Sequence, residues 1–257
     1  MTLPNVVVCG APRSGTSMMA NVLSDSGLAT SDQLLSPSLS NPRGFFEDVR
    51  VNRLNDDLLC SLDRVDASAG LPRRLWWMAG FRSSTLPEVV LDRDVDDLLP
   101  PPPFVLKDPR FSMTLPAWKI HLLPFVAIVM VRPPAEVATS LASMIRREPE
   151  YFAPVASASP DDLRAMTSAL WSATYRSVLE WADEATYFLT PSDVFDEAIL
   201  VGLGTRLGRA IGASCVDSDL RRSEPMRGVS VDSNIRAAVL GRLALDRRRL
   251  LSPSSPQ

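Results

Sequence analysis

The chain has 257 residues, 46% of them apolar and 22% charged, with a formal net charge of −3 at pH 7. That length and apolar content suit one large α/β domain spanning 1–257, any helical insertion included, and the charge is ordinary for a soluble protein. The slight negative balance argues against a general nucleic-acid binder. Cys9, Cys60 and Cys215 are too scattered for a disulfide framework or a zinc site, and no apolar run is long enough to span a bilayer.

A β-branched run predicts a first strand over Asn5 to Cys9. It stops at Gly10, four residues separate that glycine from Gly15, and an apolar helical pattern then runs to about Ser24. Strand, tight loop and helix start form the geometry in which backbone N–H groups converge on a phosphate-like anion. The Gly10-x4-Gly15 spacing is that of a nucleotide-binding P-loop, but Thr16 stands where its lysine belongs, and the cation is Arg13 inside the loop.

A Ser-, Leu- and Pro-rich loop covers Ala29 to Gly44, and Phe46 to Leu62 has the apolar spacing of an amphipathic helix. Leu71 to Pro103 is irregular, with Trp76-Trp77, an acidic patch at Asp92 to Asp97 and a four-proline stop; together 29–103 read as an acceptor-side insertion. Phe104 to Lys107 is a short buried strand, Ser112 to Leu122 a helix interrupted by Pro116, and Phe125 to Val131 a central parallel strand. A helix from Pro133 to about Arg146 follows, then a Pro/Ser/Ala loop over Glu148 to Pro160, long enough for a lid. Asp161 to Asp183 predicts a long helix, Thr186 to Thr190 a strand, and Glu197 to Ile211 and Ser230 to Leu245 two further helices. Residues 247–257, basic and then Ser/Pro-rich, read as a frayed tail. Strand–helix alternation implies an α/β fold of three layers, with a central parallel β-sheet flanked by helices.

A second anion signal follows the central strand. Arg132 stands at its carboxyl end, where open α/β sheets bind ligands, and Ser140 lies two helical turns further on. An arginine fork and a hydroxyl suit a phosphate monoester.

Pro12-Arg13-Ser14-Gly15-Thr16-Ser17 resembles the 5′-phosphosulfate loop of sulfotransferases, and Arg132 with Ser140 resembles their 3′-phosphate motif. Asn41-Pro42-Arg43-Gly44-Phe45-Phe46-Glu47 and Leu106-Lys107-Asp108-Pro109-Arg110 look like segments of the bacterial and Golgi-type branches of that family. The resemblance is specific as far as Leu141 and weaker from Trp171 and Tyr175 to Phe195. It implies a P-loop-like fold that binds 3′-phosphoadenosine-5′-phosphosulfate (PAPS) and releases 3′-phosphoadenosine-5′-phosphate (PAP). The sulfuryl group would pass in line, without a metal, to a hydroxyl or amine of a small-molecule, carbohydrate or lipid acceptor. It assigns Pro12, Arg13, Ser14, Gly15, Thr16, Ser17, Arg132 and Ser140 to the donor nucleotide.

Within that frame Arg13 and Lys107 are the cations that neutralise charge on the sulfuryl group and leaving oxygen, as in the phosphoryl-transfer analogue. Lys107 reads otherwise as an ion-pair partner of Asp108 or another acid. Glu47 is the candidate general base, in a setting made apolar by Phe45 and Phe46; the alternative is a first-turn glutamate favourable to the helix dipole. Asp48 is next in line. His121, the sole histidine, reads as a packing or surface residue, with a role as the base the lesser alternative. The Arg221-Arg222 and Arg227-Gly228 cluster is either a cover for the 3′-phosphate or a solvated surface, and Arg247-Arg248-Arg249 an exposed, passive tail. Trp76-Trp77 line an acceptor pocket or anchor the insertion, while Trp171 and Trp181 read as core.

Two other functions compete. A P-loop small-molecule kinase using Mg-ATP would need an acid for the metal, and Asp108 is the candidate. The third reading is a nucleotide-binding protein without catalysis. Composition and the absence of a charged-then-apolar leader favour a reducing cytoplasm, with no nucleic-acid partner and no membrane span. Acceptor identity and oligomeric state, a homo-oligomer included, stay open.

Overall fold

The computed structural model describes residues 3–61, 75, 78, 91, 95–212 and 224–252. Trp76-Trp77, Cys215, Arg221-Arg222 and much of the expected insertion lie outside the described residues. A parallel four-stranded sheet forms the centre: β1 (Asn5–Gly10), β2 (Val105–Lys107), β3 (Phe125–Met130) and β4 (Thr186–Leu189), in the order β2-β1-β3-β4. Around it lie α1 (Thr16–Asp25), α2 (Val49–Ser61), α3 (Phe111–Leu122), α4 (Pro134–Arg147), α5 (Pro160–Trp181), α6 (Glu197–Leu207) and α7 (Ser233–Leu251). Among the described residues no helix is long and apolar enough to cross a membrane.

The strands are apolar throughout because both faces are covered. Side chains alternate in direction along a strand, so Val7 and Cys9 join Leu106, Val129 and Phe188 on the face covered by α2, α3, α5 and most of α7. Val6 and Val8 join Ile128, Met130 and Leu189 on the face covered by α1 and α6. The result is the expected three-layer α/β arrangement.

Strand order matters more than strand count. From β1 the chain moves outward to β2, then returns to the other side of β1 for β3 and β4. The reversal leaves a crevice at the carboxyl ends of β1 and β3, the position at which open α/β sheets bind ligands. Gly10 and Met130 are partners at the end of that pairing. The loop after β1 and the turn after β3 therefore emerge side by side.

Several boundaries differ from the sequence expectation, each for a local reason. Helix α2 starts at Val49 rather than Phe46, because the Asp48 carboxylate accepts from the N–H groups of Arg50 (2.6 Å) and Val51 (3.1 Å) and so caps it. Helix α6 ends at Leu207, where Gly208 turns left-handed. The last helix continues to Leu251, so the residues expected as a passive, frayed tail from 247 onward are ordered up to that point. Arg247 pairs with Asp193 and, at 3.2 Å, with Asp196; Arg249 pairs with the fully buried Asp246 at 2.7 Å and lies 4.7 Å over the Tyr187 ring. The 148–160 loop is anchored rather than free: Phe152 is fully buried in a small cluster with Leu141, Ile145 and Leu163.

Candidate functional site

The loop after β1 is built on two close approaches. A Cβ on Gly10 would lie 2.2 Å from the Met130 carbonyl oxygen, so only glycine lets β1 end against β3 there. Arg13 has φ 68° and Gly15 φ 90°, which turns the chain sharply into α1. A left-handed non-glycine residue carries a conformational cost of about 1 kcal/mol or more. The loop is held from below by Tyr175, whose buried hydroxyl donates to Met130 O (2.7 Å), accepts from Ala11 N–H (3.3 Å) and lies 3.4 Å from Ser14 Oγ. Burial keeps that phenol protonated by pushing its pKa up. From the other side Ser112 Oγ accepts from Gly10 N–H at 3.0 Å.

Met19 N–H is bonded to Gly15 O at 3.2 Å, so Thr16, Ser17 and Met18 have no carbonyl a turn earlier in the helix to receive theirs. Those donors, with the positive end of the helix dipole, are of the kind that can receive an anion. Ser17 Oγ donates to Phe45 O (3.2 Å) and accepts from Asn41 Nδ2 (3.4 Å), which ties the 41–47 segment to the same turn.

The two cations expected to bind opposite ends of a nucleotide meet across the β1–β3 crevice. Arg13 Nε donates to Ser140 Oγ at 3.0 Å, and Arg132 Nη1 donates to the backbone carbonyl of Arg13 at 3.3 Å. Arg132 is also held by Glu136 Oε2 at 3.0 Å, and its own carbonyl accepts from Trp171 Nε1 at 3.0 Å. Burial, then the neighbouring Arg132 cation, lowers the Arg13 pKa. Two guanidinium groups kept this close in a sheltered crevice make a strong anion attractor. Glu148 balances part of that charge. Its carboxylate accepts from Ser40 N–H at 2.7 Å, and although burial opposes ionisation, the Ser40 and Ser38 donors and Arg13 keep its pKa low. Met226 N–H donates to Thr139 Oγ1 at 2.8 Å, which brings the segment carrying Arg227 onto α4 next to Ser140.

Beside the loop, at the carboxyl end of β2, lies a buried ionic cluster. Lys107 pairs with Glu47, and both are enclosed, at 4% and 7% exposure. Asn52 Nδ2 donates to the other Glu47 oxygen at 3.0 Å, and Arg110 Nη1 stands 3.8 Å from it. Lys107 is thus an ion-pair partner in this state, with Glu47 rather than Asp108 as its acid. Arg110 binds Asp108 (3.1 Å) and Asp56 (2.7 Å); burial disfavours its charge, but Asp108, Asp56 and Glu47 more than reverse that and raise its pKa.

Asp108 is fully buried and committed to protein donors: one oxygen takes Arg110 N–H (2.8 Å) and its guanidinium, the other takes Asn55 Nδ2 (2.9 Å). Asp48, the second candidate base, is a helix cap. Burial opposes its ionisation, but Arg50, Ser31 and two backbone N–H groups hold its carboxyl below the usual range. His121 lies at the far edge of the sheet, since Leu122 O accepts from Asn5 Nδ2 at 3.0 Å and Asn5 begins β1. A strand of six residues, about 20 Å, separates that edge from the loop. Burial pushes the Cys9 thiol up to about 12, so it is inert.

Sequence reasoning did not single out Ser112, Asn52, Asn55 or Glu148, and took Trp171 chiefly as core. Ser, Asn and Glu carry no pattern that marks them, because their partners lie far away in sequence. Trp171 and Tyr175 do pack together, with ring centroids 4.5 Å apart, while their polar ends hold the crevice.

No family model matches the chain, and no curated protein matches it. Among solved structures, it is similar to the sulfotransferase domain from the curacin biosynthetic pathway, at 14% identity and TM-score 0.46, over 100% of this chain and 94% of that one. It is also similar to the sulfotransferase domain from the Synechococcus PCC 7002 olefin synthase, at 16% identity and TM-score 0.45, over 100% of this chain and 92% of that one.

Proposed function

We propose that this chain is a PAPS-dependent sulfotransferase. The observation that carries the reading is the meeting of Arg13 and Ser140 at 3.0 Å, with Arg132 bonded to the loop carbonyl beside them. Loop residues 12 to 17 and the turn after β3 thus face one crevice, so one nucleotide with two anionic ends would be gripped by both. The residues fit such a group. Free helix-start N–H groups of Thr16 and Ser17 suit the 5′-phosphosulfate, and Arg132, Ser140 and Arg227 suit the 3′-phosphate.

The donor supplies an activated sulfuryl group and a leaving phosphate. Arg13 would neutralise negative charge on both, with the cost of its burial offset once an anion is bound. Lys107 pairs with Glu47 and orients its carboxylate in the resting chain. Glu47 would take the acceptor's proton as the acceptor oxygen or nitrogen bonds to sulfur and the sulfur–oxygen bond to phosphate breaks, its electron pair staying on the phosphate. Neutralised Glu47 then releases Lys107 toward the leaving charge.

The Mg-ATP kinase reading has Asp108 as its metal acid, and it is weakened because that carboxylate is fully buried against the Arg110 cation and Asn55. The test is thermal unfolding with PAP in the absence of magnesium. At a hundredfold excess over Kd, stabilisation is about 2.7 kcal/mol, a rise of roughly 5–10 °C for a chain of this size. No shift with millimolar PAP, or a shift seen only with Mg-ATP, overturns the proposal. An acceptor-free nucleotide binder would show the PAP shift but never turn over.

A further inference from the structure

We infer that Asn52 is a positioning residue that also sets acceptor specificity: one end of its amide steadies Glu47, and the other takes a second hydrogen-bond donor of the acceptor, which is therefore a vicinal diol or amino alcohol. The inference rests on the sulfotransferase reading and deepens it.

The observation is an unsatisfied atom. Asn52 is 8% exposed, and its Nδ2 donates to Glu47 Oε2 at 3.0 Å, yet its Oδ1 is buried with no hydrogen-bond partner among the described residues. Rotating the amide does not help, because it would turn the oxygen onto a carboxylate and forfeit the one bond the group makes. Glu47 fixes the orientation, and what is left over is an acceptor.

One turn further along α2, Asn55 shows what a purely structural asparagine looks like here. Its Nδ2 donates to Asp108 at 2.9 Å, and its Oδ1 accepts from Thr114 Oγ1 and Trp118 Nε1, both at 2.8 Å. The same helix, in the same core, saturates one amide and leaves the other half-used. A buried acceptor without a donor is costly, so one kept beside the candidate base calls for a partner from outside the chain.

The amide oxygen and nitrogen share one carbon, so the donor that satisfies Oδ1 must sit next to the group whose proton Glu47 takes. An isolated alcohol on a hydrocarbon has no such second donor. A 1,2-diol or a 2-amino alcohol has one at the adjacent carbon. Oδ1 is as enclosed as Glu47 and Lys107, so its partner would enter when the acceptor reaches that pair.

The experiment measures PAP release from PAPS with glycerol, 2-aminoethanol and 1-propanol as surrogate acceptors, in the wild-type chain and in Asn52→Leu. Glycerol and 2-aminoethanol are expected to exceed 1-propanol by about tenfold or more, as for a buried acceptor that gains its donor. In Asn52→Leu that preference should vanish while PAP binding is retained; Asn52→Ala serves if the leucine variant does not fold. A residue that merely supported Glu47 would slow all three probes alike and leave the ratio intact. Equal rates with all probes, no turnover with any, or a preference that survives in the variant overturns the inference. Failure of the wild-type chain to bind PAP would instead bring down the sulfotransferase reading beneath it.

Discussion

Replacing Tyr175 by Phe removes one oxygen and leaves the ring, its contact with Trp171 and the surrounding apolar packing in place. The lost hydroxyl donates to Met130 O at 2.7 Å and accepts from Ala11 N–H at 3.3 Å, with Ser14 Oγ at 3.4 Å. Met130 O loses a short bond, and Ala11 N–H loses its acceptor, both in a region closed to water. A buried polar group left unpaired costs about 1–3 kcal/mol, and the Ala11 bond is long, so the sum should be about 2–4 kcal/mol. For a chain of this size that lowers Tm by roughly 4–16 °C. The hydroxyl also ties the first turn of the loop to the end of β3, so loosening it should weaken PAP binding by about tenfold, or ~1.4 kcal/mol. Thermal unfolding and calorimetric titration with PAP measure the two effects. A Tm within 2 °C of wild type, together with an unchanged Kd, would refute the claim that this phenol anchors the anion loop.

Arg132→Ala should cost PAP binding about 1.5–3 kcal/mol through loss of a charge-assisted fork, read by calorimetry, with the fold preserved because the side chain is partly exposed. Glu47→Gln should keep PAP affinity and lower turnover by about a hundredfold or more in a PAP-release assay; near-normal turnover would move the base elsewhere. Asp108→Ala should destabilise by about 3–5 kcal/mol, because it strips a buried partner from Arg110 and orphans Asn55 Nδ2. Acid should act through Asp48, whose pKa is held low in the folded chain. Its contribution is present above the unfolded value of about 3.9 and is lost as pH falls through the lower folded value. Urea midpoints measured from pH 7 down to 3 should therefore decline at the acid end, and Asp48→Asn should flatten that decline.

Much of the architecture was legible in the order of residues. The apolar, β-branched runs at Val6 to Cys9 and Phe125 to Val131 read as strands covered on both faces, and the helical periodicities between them imply the two outer layers. Gly10 and Gly15 announced a turn that other residues resist, so the loop could be read before its surroundings were known. Capping and end-packing were less legible. Asp48 displaced the start of α2 by two backbone bonds, and the last helix ran on to Leu251 because Arg247 finds the buried Asp193 of a distant segment while Arg249 pairs with the buried Asp246 one turn earlier.

Sequence alone marked two candidate anion-binding segments, one after each of two strands, because spacing along a strand, a turn and a helix is local chemistry. Only the tertiary structure decided that they are neighbours. That depends on β3 returning to pair with β1 rather than continuing beyond β2, a choice settled by hydrogen-bond partners more than a hundred residues apart. The same holds for the pairing of Lys107 with Glu47 and for the empty end of Asn52: burial and satisfaction of polar atoms are properties of the packed chain, not of any stretch of it.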